Sequence, residues 1–209
     1  MKNTHELEDD LRERWLKSYP DDERKAFCFD GLCYNGEIYN DGKNAHQGNE
    51  EKLWNNTDRR ILFLMKDTNN NSDSDYREWH WRNINHNFFN CIFKWLEGLS
   101  RISKDFIPTM ENGDYAAVPN AVVTKYPLAI VNIKKISGTS FVSNKTLYEY
   151  ANRDKAFLQE QIRGILHPNI IVCGGGKGTV LNIAKNIIYE DESFREINYF
   201  CHYSSVDTN

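Results

Sequence analysis

Basic residues are not in excess in this chain: 26 lysines and arginines face 30 acids, for a formal net charge of −4. That balance removes any global electrostatic pull toward nucleic acid or an anionic membrane, although a local basic patch can still hold phosphate. Long apolar runs are missing as well. None approaches the roughly 18 residues a membrane helix needs, and the N-terminal stretch MKNTHELEDDLRERW lacks the apolar centre of a secretion signal. A cytoplasmic protein with no membrane contact is expected. Paired cysteines are also absent. Cys28, Cys33, Cys91, Cys173 and Cys201 form an odd set without a CxxC pair, which argues against a disulfide framework in so long a chain. Cys28 and Cys33 alone are a weak zinc signal. The cysteines are read as buried apolar side chains, and no metal or cofactor is expected. Finally, Gly174-Gly175-Gly176-Lys177-Gly178-Thr179 fits neither the P-loop consensus nor G-x-G-x-x-G.

What is present is enough for a sizeable core. Apolar residues make up 40% and aromatics 13% of 209 residues. The mean hydropathy of −0.69 is low, but the apolar residues are clustered, which describes a folded domain with long polar loops. Leu7, Leu11 and Trp15 recur at spacing four and predict a helix over 5–18. Residues 20–57 are rich in Gly, Asn and Asp and read as an irregular leader, with a short hairpin through CFDGLCYNGEIY. Continuous apolar runs at 60–65, 128–133 and 169–173, and a shorter one at 197–201, read as strands covered on both faces. Amphipathic helices are expected between them at 87–99, 152–166 and 179–189, with His167-Pro168 stopping the second.

Strands alternating with helices imply a parallel sheet. The expected fold is a three-layer α/β/α domain over 58–209, with a central, mainly parallel four-stranded sheet. Residues 1–57 are expected to pack on it. Ligands of such sheets bind outside the carboxyl ends of the strands, which here collects Asp67, Asn132, Gly174 and His202. Asp67 is either a general base or a carboxylate capping its own Asp-Thr-Asn-Asn turn. Asn132 ends an otherwise apolar strand, where an unpaired amide costs about 1–3 kcal/mol. It reads a base edge or another amide-like ligand, or it bonds loop backbone. His202 is an oxyanion donor or a surface histidine. Gly174 and Lys177 form a tight turn where backbone can approach a phosphate-bearing ligand. Tyr76 to Arg82 interleaves aromatics with cations, a pattern suited to stacking on bases or to packing on the domain.

The order of these features resembles the uracil-DNA glycosylase superfamily. Met65-Lys66-Asp67-Thr68-Asn69-Asn70 stands where that family has a G-Q-D-P-Y-H-like motif, and Asp67 falls on the residue that positions the attacking water. Ala129-Ile130-Val131-Asn132 is similar to the family strand of the type L-L-L-N, whose Asn reads the uracil edge. Asn169 to Gly174 looks like the V-V-F-L-L-W-G strand, and Cys201-His202-Tyr203-Ser204-Ser205 resembles the closing strand into H-P-S-P. The resemblance covers about residues 58–205. It implies Asp67 and His202 as catalytic residues and Asn132, Lys66, Asn69 and Trp79 around the base. Gly174, Lys177 and Ser204 would meet phosphate or backbone, and DNA or a nucleotide would be the partner. Thr68 replaces the family proline, and Tyr203 and Ser205 replace the two after the histidine. Only seven residues follow His202, where the family carries a loop that wedges the duplex. The expectation is hydrolysis of the N-glycosidic bond of uracil or a modified base in DNA; base flipping costs least in single strands, so without the wedge the ligand would be single-stranded or free-nucleoside-like. The alternative expectation is a non-catalytic binding module of the same fold, which holds a nucleotide, nucleic acid or protein partner.

Overall fold

The structure, a computed structural model, describes residues 2–40, 44–68, 74–78, 87–106, 119–138, 141–175 and 178–190. Its centre is a parallel three-stranded sheet in the order β4-β2-β5, formed by β2 (Ile61–Asp67), β4 (Ala129–Lys134) and β5 (Ile170–Cys173). A separate parallel pair joins β1 (Cys28–Phe29) to β3 (Ser74–Asp75). The fourth central strand expected at 197–201 lies outside the described residues.

Each central strand is apolar on both sides because helices cover both faces. Leu62, Leu64, Val131 and Ile171 face a core shared with α1 (Thr4–Ser18), α6 (Asn144–Arg153), α7 (Lys155–Gln159) and α8 (Thr179–Ile183). Ile61, Phe63, Ile130 and Val172 face a second core with α4 (Asn87–Arg101) and α5 (Pro119–Lys125). Two shorter helices, α2 (Asp21–Arg24) and α3 (Glu50–Asn56), complete the N-terminal part. Local signals set several boundaries. Asn3 and Glu6 form a reciprocal capping box at the start of α1. Ser143 accepts from the Thr146 N–H and starts α6 earlier than the expected residue 152. The helix after α7 continues as π-helical turns over Glu160–Leu166, and His167 ends it in the left-handed conformation at φ 44°.

The leader does not fold back as the expected hairpin through CFDGLCYNGEIY. Residues 26–33 lie antiparallel along the outer edge of β4 instead. Ser137 N donates to Ala26 O at 2.8 Å, Cys28 N to Lys135 O at 2.7 Å, Ile130 N to Gly31 O at 3.0 Å and Cys33 N to Leu128 O at 2.8 Å. Phe27 faces Ile136, and five residues on Leu32 faces Ala129, seven residues back. The register therefore slips by two, and Asp30 sits in the slip. Its Oδ2 accepts from the Asn132 backbone N–H at 3.1 Å and from Asn132 Nδ2 at 2.9 Å. Its Oδ1 pairs with the Lys135 ammonium, which is buried against the rings of Trp15 and Phe29, 4.9 and 5.4 Å from their centroids. The side chain thus supplies to the Asn132 N–H the acceptor that a carbonyl of a regular ladder would have supplied.

A second buried polar cluster anchors α1. Glu8 accepts from Leu32 N at 3.3 Å and from Gln161 Nε2 at 3.4 Å. His5 Nε2 lies 2.8 Å from Glu50 Oε1. Arg77 forks onto Asp75, with Nε to Oδ1 at 3.0 Å and Nη2 to Oδ2 at 2.6 Å, and reaches Asp9 at 2.6 Å. It is therefore a buried structural cation, in keeping with the packing alternative for its segment. Trp15, Phe27, Phe29 and Leu32 belong to the same core as β2 and β4.

Removing one partner of a buried ion pair leaves an uncompensated charge, at a cost of about 3–5 kcal/mol. Asp30→Asn is expected to destabilise by that amount in urea unfolding. The double variant Asp30→Asn with Lys135→Met is expected to lose less than the two single variants combined. A loss below about 1 kcal/mol for Asp30→Asn would show that the pair does not hold this edge.

Candidate functional site

In a parallel sheet all the strands end on one side, so their carboxyl termini meet at one edge. Register places Met65 beside Asn132 and Asp67 beside Lys134, while Leu64 lies beside Cys173. Gly174 N donates to Leu64 O at 2.8 Å and carries β5 past that edge. The loops beyond β2 and β4 are tied together by Gly138 N donating to Thr68 O at 3.0 Å.

Asp67 is the acid at this edge. Its side chain is 9% exposed, and Lys134 Nζ stands 3.6 Å from its Oδ2. That is ion-pair range but too long for a hydrogen bond. Among the described residues, buried Oδ2 has no hydrogen-bond partner, and the same holds for Thr68 Oγ1 and Ser137 Oγ nearby in the chain. Burial pushes the Asp67 carboxyl above its ordinary value, against the pull of Lys134 and then of Lys66. Gly138 makes room for this pair. A Cβ there would stand 3.0 Å from both Asp67 Oδ2 and Lys134 Nζ. Lys134 is itself anchored: its ammonium donates to Ile136 O and lies 5.3 Å from the centre of the Tyr150 ring.

The other expected site residues divide clearly. Lys66 alternates to the opposite face of β2 from Asp67, and its aliphatic stem runs over Gly175. Asn132 is buried, with one amide N–H given to Asp30. Gly174 packs against the Met65 thioether, which a Cβ there would displace. Asn69, Trp79, Lys177, His202 and Ser204 lie outside the described residues. Sequence reasoning missed Lys134 and Asp30. A lysine doublet, Lys134-Lys135, directly after an apolar strand was the available signal, because alternation sends two successive side chains to opposite sides.

Two further features bound the chemistry. Cys173 ends β5 near this edge, but burial pushes its thiol up to about 12, so at neutral pH it is protonated and not a nucleophile. An open cleft of about 410 Å³ is lined by Asn49, Lys52, Asn56, Lys125, Tyr126 and Pro127 among others. Pro127 leads into β4, so this cleft lies at the amino end of the strands, away from Asp67. Among the described residues, no carboxylate, histidine or cysteine lines it, in contrast to the acid at the Asp67 edge. Among the described residues, no group of three or more His, Cys, Asp or Glu side chains is placed to hold a metal ion, and no helix is long and apolar enough to cross a membrane.

The chain matches no protein-family model, and no curated protein or solved structure is significantly similar to it.

Gly175 turns the chain at φ +89°, and a Cβ on it would lie 2.9 Å from Lys66 Cε. A side chain in that conformation costs about 1–2 kcal/mol. Gly175→Ala is expected to lose that much stability in urea unfolding. Unchanged stability would mean that the turn readily takes another shape.

Proposed function

We propose that this chain is a uracil-DNA glycosylase-like enzyme that hydrolyses the N-glycosidic bond of uracil or a modified base in DNA. The single observation that carries the reading is the place of Asp67. It is a shielded carboxylate at the carboxyl end of the middle strand, side by side in the ladder with the strand end that bears Asn132 and Lys134. This is the edge where parallel α/β sheets bind ligands, and the acid of the resembling family stands at the same place in its motif.

In this mechanism Asp67 orients a water against the sugar C1′. The water oxygen bonds to C1′ as the bond from C1′ to the base nitrogen breaks, and the electron pair leaves with the base. Asp67 takes the water proton and holds it until the base anion or solvent collects it. By the resemblance, His202 donates a hydrogen bond to the departing anion. A positioned acid–base group contributes about 10²–10⁴-fold, and one anion-stabilising donor about 10²–10³-fold.

A second reading has its own observation. Asn132 already gives an amide N–H to Asp30, and Asp67 already faces Lys134. Both polar groups are therefore engaged within the protein, as a binding module without chemistry would tolerate.

The test is release of free base from a labelled single-stranded oligonucleotide containing uracil. Asp67→Asn and His202→Ala are each expected to slow it by about 10²-fold or more. No release from single- or double-stranded substrate at high protein concentration, with oligonucleotide binding retained, would replace the enzyme by the binding module.

A further inference from the structure

We propose that Lys134 is the positioning residue of this site: its ammonium, anchored on the Ile136 carbonyl and the Tyr150 ring, faces the inner oxygen of Asp67 and so turns the outer oxygen toward the ligand. The inference rests on the reading of Asp67 as the working carboxylate. It names a residue that neither motif nor resemblance singled out.

The geometry carries it in three steps. First, the two side chains are ladder neighbours, Asp67 beside Lys134, so the sheet itself brings them together. Both are nearly closed off, each 9% exposed, and solvent screens their interaction little. Second, Lys134 is not free to collapse onto the acid. It donates to Ile136 O and lies over Tyr150, which holds Nζ 3.6 Å from Asp67 Oδ2. Oδ2 therefore feels the positive charge without a hydrogen bond, and it is shielded from water. On this reading the contact with a water or a base falls to Oδ1, the other oxygen of the carboxylate. Third, Gly138 closes the pair from the side. Any Cβ there would press on Asp67 Oδ2 and Lys134 Nζ alike.

Among the described residues, two charged groups act on Asp67. Lys134 comes from β4 and Lys66 from β2 itself, and both favour the anion, Lys134 more strongly. Tyr150 of α6 faces the ammonium. Ser137, Gly138 and Gly174 bring no charge from the adjoining loops. Lys134 is thus the main counterweight to burial, which favours the protonated acid. The sign follows: without Lys134, Asp67 holds its proton to higher pH and is lost as a base over that range.

The experiment compares the full chain with Lys134→Met and Lys134→Arg. Two readouts are taken: the pH profile of base release, and the titration of the Asp67 carboxyl by carbon NMR, assigned with Asp67→Asn. Lys134→Met is expected to move the Asp67 midpoint and the acid limb of the profile up by about one unit or more. At a pH below both midpoints, that is roughly a tenfold smaller ionised fraction. Lys134→Arg, which keeps a cation, is expected to restore most of the shift. If Lys134→Met fails to fold, Lys134→Gln keeps the reach without the charge and is titrated in the same way. An Asp67 midpoint unmoved in a folded, uncharged variant would overturn the proposal. The titration does not depend on turnover. A shifted midpoint without base release from any variant would therefore uphold the role of Lys134 and overturn the glycosylase reading alone.

Discussion

The buried bond between Asp30 and Lys135 is the constraint on which the rest of the architecture hangs. A carboxylate and an ammonium taken out of water cost several kcal/mol each unless they meet. Here they meet between β4 and the segment that runs along its outer edge. The meeting is possible only where that segment slips by two residues, because the slip is what turns Asp30 into the sheet. In that position Asp30 also takes the Asn132 backbone N–H and amide, while its own carbonyl accepts from Gln161 Nε2 at 2.5 Å. One residue therefore joins the outer edge, the last central residues of β4 and the π-helical turns behind them, the first two by its side chain and the third by its carbonyl. The N-terminal helix follows, since Trp15 covers Lys135 and Glu8 takes Leu32 N.

The same constraint decides the geometry of the candidate site. Side chains alternate along a strand, so a one-residue change of register would exchange every position between the two faces. With Lys135 committed to Asp30, its neighbour Lys134 has to project to the other side, where Asp67 is its ladder partner. Two identical residues in succession thus do different work. One neutralises a buried acid that organises the fold, and the other faces the shielded Asp67 carboxylate at the carboxyl edge of the sheet.

The central fold was legible because its signals are local. The run from Ile61 to Leu64 is apolar throughout, and it lies between two helical layers. The helix stop at His167-Pro168 and the turn at Gly175 also appear where backbone preference puts them. Asp67 at a strand end was legible for the same reason. The leader was not. Gly31, Gly36 and neighbouring Asn and Asp residues describe a turn-rich segment, and such composition is equally suited to a hairpin or to an interrupted edge strand. Which it becomes depends on β4, roughly a hundred residues away, with Asp30 and Asn132 separated by 102 positions. No periodicity reports a contact across that distance. The segment around Arg77 stayed open between stacking on bases and packing on the domain for a related reason: the partners Asp9, Glu8 and Asp75 that bury this cation come from two different elements.

Asn132 shows why a motif and a role have to be separated. At the end of an apolar strand its amide satisfies the pattern of a base reader, and alternation puts it on the same face of β4 as Lys134. Yet one N–H is spent on Asp30, so any ligand contact is made by an amide whose orientation is set from inside the protein. That is an advantage for a binding group, because a polar side chain already held by a buried partner loses little freedom when a ligand arrives. It is also a liability. Any change at Asp30 would be felt at Asn132 and, through the register of β4, at Lys134 and Asp67. Stability of the outer edge and order at the carboxyl edge of the sheet are therefore one property of this fold, carried by Asn132, Lys134 and Lys135 at the end of a single strand.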